Sequence, residues 1–434
     1  MIDLDLLVPE APPPPRPAGT RRRALTVTAF ALALLLPTAA AAPARTLLDP
    51  VRTVHLGTGA AYQIVGDSLY VTEAQPANDR LVAYPLPSGP PRWSVPLPIL
   101  SGDVELAQID DLLLVSVVVS GPVESHTTAV DRATGAVRWE SQLPVAALDL
   151  VRHRVLLGQS PHPEAVDLAP SGDLEAVAAA TGARVWNHHR QAGCLGDLPR
   201  RIDKPGTGLG VLCADGTLSV VDLDSGRVRA TAATLATAPG LRFGSDVIVL
   251  PDQVLVDYPA RARTVVASFD MAHLRPQWTV ELEPTNYGVA GCGAQLCMFS
   301  FRGLLALDLA SGTVSWRLSP ADRAVALVTS YLAVTSLSGD RLRMVDTETG
   351  STVLDLGGWR VASYLVGPPV LYHREPGTHR MWVGTLTVAP PGVRVLGAVP
   401  NPDSDYSVCD RTERYLACRT VRDAVQVWRI GVPG

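Results

Sequence analysis

The sequence predicts an all-β fold of repeated four-stranded sheets, preceded by one hydrophobic helix. Three observations carry this. An eleven-residue frame recurs seven times, its starts 38 to 48 residues apart. Strand-like runs, such as "ELAQI" and "DLLLVSVVVS", fill the space ahead of each copy. Hydrophobic residues make up 47% of the chain and charged residues 18%, enough apolar surface for a large core.

Residues 1–23 open the chain with "MIDLDLLVPEAPPPPRPAGT", polar and proline-rich, without helical or strand period. They are expected to form a disordered cytoplasmic tail. From Ala24 to Ala44 no charge occurs over 21 residues. As a helix this stretch reaches across the ~30 Å hydrocarbon core of a bilayer. Arg21, Arg22 and Arg23 flank it on the tail side, which keeps the tail in the cytoplasm. Two readings stand. Residues 24–44 are a single-pass membrane anchor, or a signal segment cleaved near the alanine run, which yields a secreted chain. Both place the bulk outside the cytoplasm. Residues 45–50 are a linker, and 51–434 form the repeat domain.

In the frame, position 1 is small or apolar, position 3 is often Asp, positions 6–7 are Ser/Thr-Gly, and position 11 is often Trp. The copies start at Ala83, Ala129, Ala176, Val220, Ser268, Ala306 and Met344. Asp131 and Asp308 hold position 3, Gly135 and Gly312 the turn, and Trp93, Trp139, Trp186, Trp278 and Trp316 position 11. Ala230 and Leu354 stand in place of Trp, and His273-Leu274 in place of the glycine turn. The physics is that of a β-hairpin. Alternation before the Asp makes a half-buried strand. Asp and Ser/Thr bond turn amides, and Gly supplies a positive φ. Four strands per ~42 residues is the signature of a propeller blade. A lone twisted sheet exposes two apolar faces; radial stacking covers both, with Trp as the filler between blades. Beyond the seven copies, 364–399 reads as a worn eighth blade. The final "YSVCDRTERYLACRTVRDAVQVWRI" gives three strands, and "RTVHLG" at 52–57 can supply a fourth that latches the ring. The expected blade number is eight, within seven to nine.

The frame Ala-x-Asp-x-x-Thr/Ser-Gly-x-x-x-Trp, best kept at Ala129–Trp139 and Ala306–Trp316, resembles the pyrroloquinoline-quinone-type (PQQ-like) propeller repeat. The resemblance covers nearly all of 51–434 and implies an extracytoplasmic propeller. The family includes quinone-dependent alcohol dehydrogenases. It also includes non-enzymatic relatives, such as the propeller lipoprotein of the outer-membrane β-barrel assembly machinery, and this chain is similar to that branch.

Six cysteines fall in three neighbouring pairs, each within the first two strands of one blade. Their separations, 19, 5 and 9, are all odd, so in a hairpin both thiols of a pair can share one face. Disulfides Cys194–Cys213, Cys292–Cys297 and Cys409–Cys418 are expected, in keeping with an oxidising compartment. The competing reading is zinc, for which "CGAQLC" has half-site spacing; no His or Cys cluster completes it.

No other motif carries chemistry. The net charge of −5 is mild and forms no basic stripe, which argues against nucleic-acid binding. Quinone enzymes of the family use Ca²⁺ ligands, an Asp base and often two adjacent cysteines; no Cys-Cys dipeptide occurs here. Asp110, Asp111 and Asp252 fall in ordinary hairpin turns. His188 and His189 are adjacent on a strand and point to opposite faces, unsuited to one metal. No catalytic residue, cofactor or metal ligand is assigned. Insertions at 160–173, 196–208 and 373–379 are the candidate partner surface. The expected function is a membrane-tethered, non-catalytic binding or scaffold module for a protein or envelope ligand. Two alternatives remain: a quinone-dependent dehydrogenase, and a sensor that signals through its cytoplasmic tail.

Overall fold

In a computed structural model the described residues are 46–431. The exceptions are 57–59, 74–78, 98–102, 119–124, 159–171, 198–200, 203, 205–206, 234–245, 261–262, 284–287, 301–302, 320–321, 329, 337, 340, 364–368, 376, 379, 401–408 and 421–422. The expected tail and hydrophobic helix, 1–44, lie outside the described residues. No helix among the described residues is long and apolar enough to cross a membrane.

Residues from Leu47 onward fold as one unit of nine sheets. Eight are formed in chain order by residues 62–96, 103–141, 145–190, 194–233, 246–282, 288–317, 322–355 and 360–400. The ninth takes its first three strands from 409–430 and its fourth from Leu48–His55. That strand pairs antiparallel with Ala424–Ile430, from Leu48 opposite Ile430 to His55 opposite Ala424. The blade number is therefore nine, not eight. The three C-terminal strands and the N-terminal strand complete a full blade of their own, which brings the count to the upper end of the expected range. Pro50 is accommodated because this strand is the outer edge of its sheet, where no ladder partner needs its missing N–H.

The nine blades are joined by nine buried apolar clusters, one per interface. The cluster of Val54, Ile64, Leu69, Val71, Tyr415 and Val425 seals the ninth blade to the first, so the ring closes on itself. Alternation explains how each sheet serves two interfaces. In the second strand of blade 2, Leu113 and Val115 face blade 1 while Leu112 and Leu114 face blade 3.

Within each blade the first and third strands run toward the end that carries the frame turn. First-to-second and third-to-fourth connections therefore lie at that end. Second-to-third and blade-to-blade connections lie at the opposite end. The insertion at 196–208 joins the first and second strands of blade 4. Two of its residues, Arg201 and Ile202, form a fifth strand, parallel to Leu148–Asp149 of blade 3. The Ile202 carbonyl accepts the Leu150 amide at 3.0 Å, and the Ile202 side chain is buried between blades 3 and 4.

Candidate functional site

The frame residues form a lock between blades. Trp93, Trp139, Trp186, Trp278 and Trp316 each donate the indole N–H to a backbone carbonyl of the next blade: Arg132 (3.0 Å), Ala179 (2.7 Å), Leu223 (2.9 Å), Leu309 (2.9 Å) and Thr347 (2.9 Å). Each acceptor is the residue after frame position 3. Each ring also lies on the turn glycine of that next blade, Gly135, Gly182, Gly226, Gly312 and Gly350 in turn. A Cβ on Gly135, at φ +76°, would stand 2.6 Å from Trp93 Cγ. Glycine thus answers two demands, the positive φ and the approach of the neighbour's ring.

Asp131 Oδ1 accepts the amides of Ala133 (3.0 Å) and Thr134 (2.9 Å) and the Thr134 hydroxyl (2.8 Å). Its other oxygen meets Arg138 at 2.5 Å. Arg138, followed by Thr134, holds its carboxyl far below the usual range. Asp308 repeats the pattern with the Ser311 hydroxyl and amide at 2.7 and 2.8 Å, which lower its pKa as well.

The three cysteine pairs are closed as disulfides. Cys194 and Cys213 stand opposite in register, as do Cys409 and Cys418. Cys292 instead faces Gln295 and Cys297 faces Ala290, so the third bridge runs diagonally, with Cα atoms 5.7 Å apart. The turn is not centred between the two cysteines, so the directly opposed residues five apart are Gly291 and Leu296, while Cys292 and Cys297 still share one face of the sheet.

Asp110, Asp111 and Asp252 lie in turns at the frame-turn end. The Asp111 carbonyl accepts the Arg132 amide at 3.0 Å and the Asp252 carbonyl the Met271 amide at 3.1 Å, bracing the frame turns of their own blades. Asp110 reaches across to blade 3, both carboxylate oxygens 3.0 Å from His153 Nδ1. His188 and His189 part as alternation requires. His188 Nδ1 lies 3.3 Å from the Gly226 carbonyl of blade 4, and His189 Nδ1 2.7 Å from Asp173 of its own blade. Burial pushes the His188 pKa down. Among the described residues no group of three or more His, Cys, Asp or Glu side chains is placed to hold a metal.

The three sequence insertions divide between the two ends. The strands joined through 196–208 meet at the frame-turn end, where Arg201 and Ile202 form the fifth strand described above, away from the other two insertions. The strands joined through 159–171 and through 375–379 meet at the opposite end, where those joined through 74–78, 119–124, 234–245 and 401–408 also start or stop. At that end the rings of Trp359 and His373 lie 5.8 Å apart, and His373 Nδ1 is 3.1 Å from the Gly358 carbonyl. The end of the ring where these strands start and stop is the candidate binding face. No sequence motif marks it; only the topology brings its pieces together.

A closed ring of sheets with tryptophans locked onto the next blade's glycine turn defines a PQQ-like repeat β-propeller. The chain belongs to the family described as outer membrane protein assembly factor BamB, whose profile matches residues 43–188 and 77–318. Among solved structures it is similar to BamB from Moraxella catarrhalis, at 13% identity and a TM-score of 0.44, covering 89% of this chain and 99% of that one. A europium-containing methanol dehydrogenase matches at 12% identity and a TM-score of 0.42, covering 86% and 85%. A structure described as the eukaryotic initiation factor matches at 12% identity and a TM-score of 0.51, covering 86% and 95%. Likeness at such identities speaks to the fold alone. No curated protein matches the chain.

Proposed function

We propose that this propeller is a non-catalytic binding module of the cell envelope, which presents its long-connection end to a protein partner. Membership of the outer-membrane assembly-factor family carries the reading. The fold supports it: the frame turns at one end are short and braced, while the other end gathers connections of variable length. Residues 24–44 hold the chain to the membrane, with the ring outside the cytoplasm, where its disulfides persist.

Photocrosslinking side chains placed at Asp173 and Arg374, on the long-connection end, are expected to give discrete adducts with an envelope protein in intact cells. The same probes at Ser311 and Glu348, on the frame-turn end, are expected to give none. Adducts only from the second pair would overturn the assignment of the face. Turnover of a reducible dye when quinone and Ca²⁺ are added to the purified protein would overturn the non-catalytic reading. N-terminal sequencing of the mature chain is expected to start in the leader; a start near residue 45 would replace the anchor with a cleaved signal.

A further inference from the structure

At the seam between blades 8 and 9 two arginines, Arg394 and Arg411, meet around Thr385, and neither forms an ion pair among the described residues. Arg394 lies on the fourth strand of blade 8, directly opposite Thr385 on the third. Arg411 ends the first strand of blade 9 and donates from Nη1 to the Thr385 hydroxyl at 2.6 Å. Arg394 donates from Nη2 to the Gly431 carbonyl at 3.3 Å.

Some of the partly buried guanidinia elsewhere meet carboxylates. Arg152 bonds both Asp149 and Asp224, and Arg343 bonds Asp322. Among the described residues, Arg394 and Arg411 form no such pair. The Nε–H groups of Arg394 and Arg411 are both shut off from solvent without a partner. Burial, then the nearby Arg394 charge, depresses the Arg411 pKa, while the exposed Glu413 carboxylate acts weakly in the other direction. Two like charges and two unused buried donors at one seam are costly unless something negative joins them.

We infer that this seam is an oxyanion site, in which Arg394 and Arg411 bind a phosphate-type group. Guanidinium forks match such oxygens bidentately, and the Thr385 hydroxyl holds the Arg411 fork in place. The group comes either from a free phosphate or from the headgroup of an anionic lipid.

The test uses the full chain in neutral detergent. Inorganic phosphate is titrated against chloride at matched ionic strength and followed by calorimetry. Phosphatidylglycerol doped into the micelles forms a second arm. Saturable binding is expected in at least one arm; phosphate alone identifies a free anion, and phosphatidylglycerol alone a lipid headgroup. Arg394→Gln and Arg411→Gln should each weaken it at least about tenfold, the value of one charge-assisted hydrogen bond, and Arg394→Lys should weaken it less. Because the two cations repel, the melting temperature of Arg394→Gln in chloride should not fall below that of the wild type, which reports folding independently of binding. Absence of saturable binding in both arms, or binding that survives both glutamine substitutions, would overturn the site.

Discussion

At the residue scale, the lock between Trp93 and Gly135 makes a quantitative claim. Gly135→Ala forces a Cβ into the indole ring at a positive φ, which should cost about 2–4 kcal/mol. Trp93→Ala empties the same space and should cost about 3–5 kcal/mol. In the double variant the methyl added at Gly135 no longer meets a ring, so the two costs should fall short of their sum by ~1 kcal/mol or more in urea denaturation. Blade 5 shows the converse arrangement. Blade 4 carries Ala230 where Trp is usual, and the facing turn of blade 5 carries Leu274 at φ +55° instead of Gly. The Leu274 side chain is buried in the space a ring would fill, and Arg229 donates to the Met271 carbonyl at 2.7 Å in place of the indole. Ala230→Trp alone and Leu274→Gly alone should each destabilise; the pair together should recover most of the loss. Recovery below half, read from melting temperatures, would defeat the swap. The sequence shows both departures from the frame, yet not that they compensate, because it does not reveal which blade's turn meets which ring. The frame aspartates add a pH dependence. Asp308 and Asp346 have carboxyls held below their ordinary value of 3.8, Asp308 first by the Ser311 hydroxyl and Asp346 first by the Thr349 amide. A depressed folded-state pKa contributes stability above the unfolded value and loses it as pH falls through the folded one. Melting temperatures should therefore drop as pH is lowered below about 4, and less steeply in Asp308→Asn.

At the element scale, the strand Leu48–His55 closes the ring. It covers the outer edge of Ala424–Ile430 and carries Val54 into the seam with blade 1. From this strand Arg52 bonds the Gly89 carbonyl of blade 1 and lies over the Tyr84 ring at 5.3 Å, standing where other blades use Trp. A chain lacking residues 46–56 should lose its sharp melting transition and expose the blade 9 edge, with aggregation measurable by light scattering. A truncated chain that melts as sharply as the full one would refute this role. Among the disulfides, the diagonal Cys292–Cys297 bridge closes the shortest loop and should contribute least, below the ~3 kcal/mol expected for a loop of about 15 residues. The hairpin pattern is legible for seven blades because each keeps the Asp, the glycine turn or both. Blade 8 is faint for a physical reason. Its third and fourth strands run on to a turn at 389–390, with Val388 opposite Pro391, and so dispense with the frame turn. Blade 9 is hard to count because its strands lie at opposite ends of the sequence. The fifth strand at Arg201–Ile202 leaves no signal; two residues paired parallel to another blade have no periodicity of their own.

For the whole molecule, the arrangement of cores decides how it comes apart. No blade has a core of its own: the two faces of each sheet belong to two different interfaces, and the closing interface joins the first blade to the last. Removing one blade therefore exposes apolar surface on two neighbours, and a partly opened ring gains chain entropy only by losing two clusters at once. An open solenoid frays from its ends, whereas a closed ring has no end from which to start. The ring should consequently unfold as one cooperative unit in scanning calorimetry, with calorimetric and van't Hoff enthalpies in near agreement. Opening the seam separates closure from interface strength. Removal of the Leu48–His55 strand should broaden the transition and lower the van't Hoff enthalpy more than the calorimetric one, because it creates two free ends while eight interfaces remain. An interface substitution elsewhere, such as Trp316→Ala, leaves the ring closed and should shift the midpoint with little broadening. Equal broadening in both variants would show that the blades unfold independently, and the rigid platform on which the proposed binding face depends would go with it.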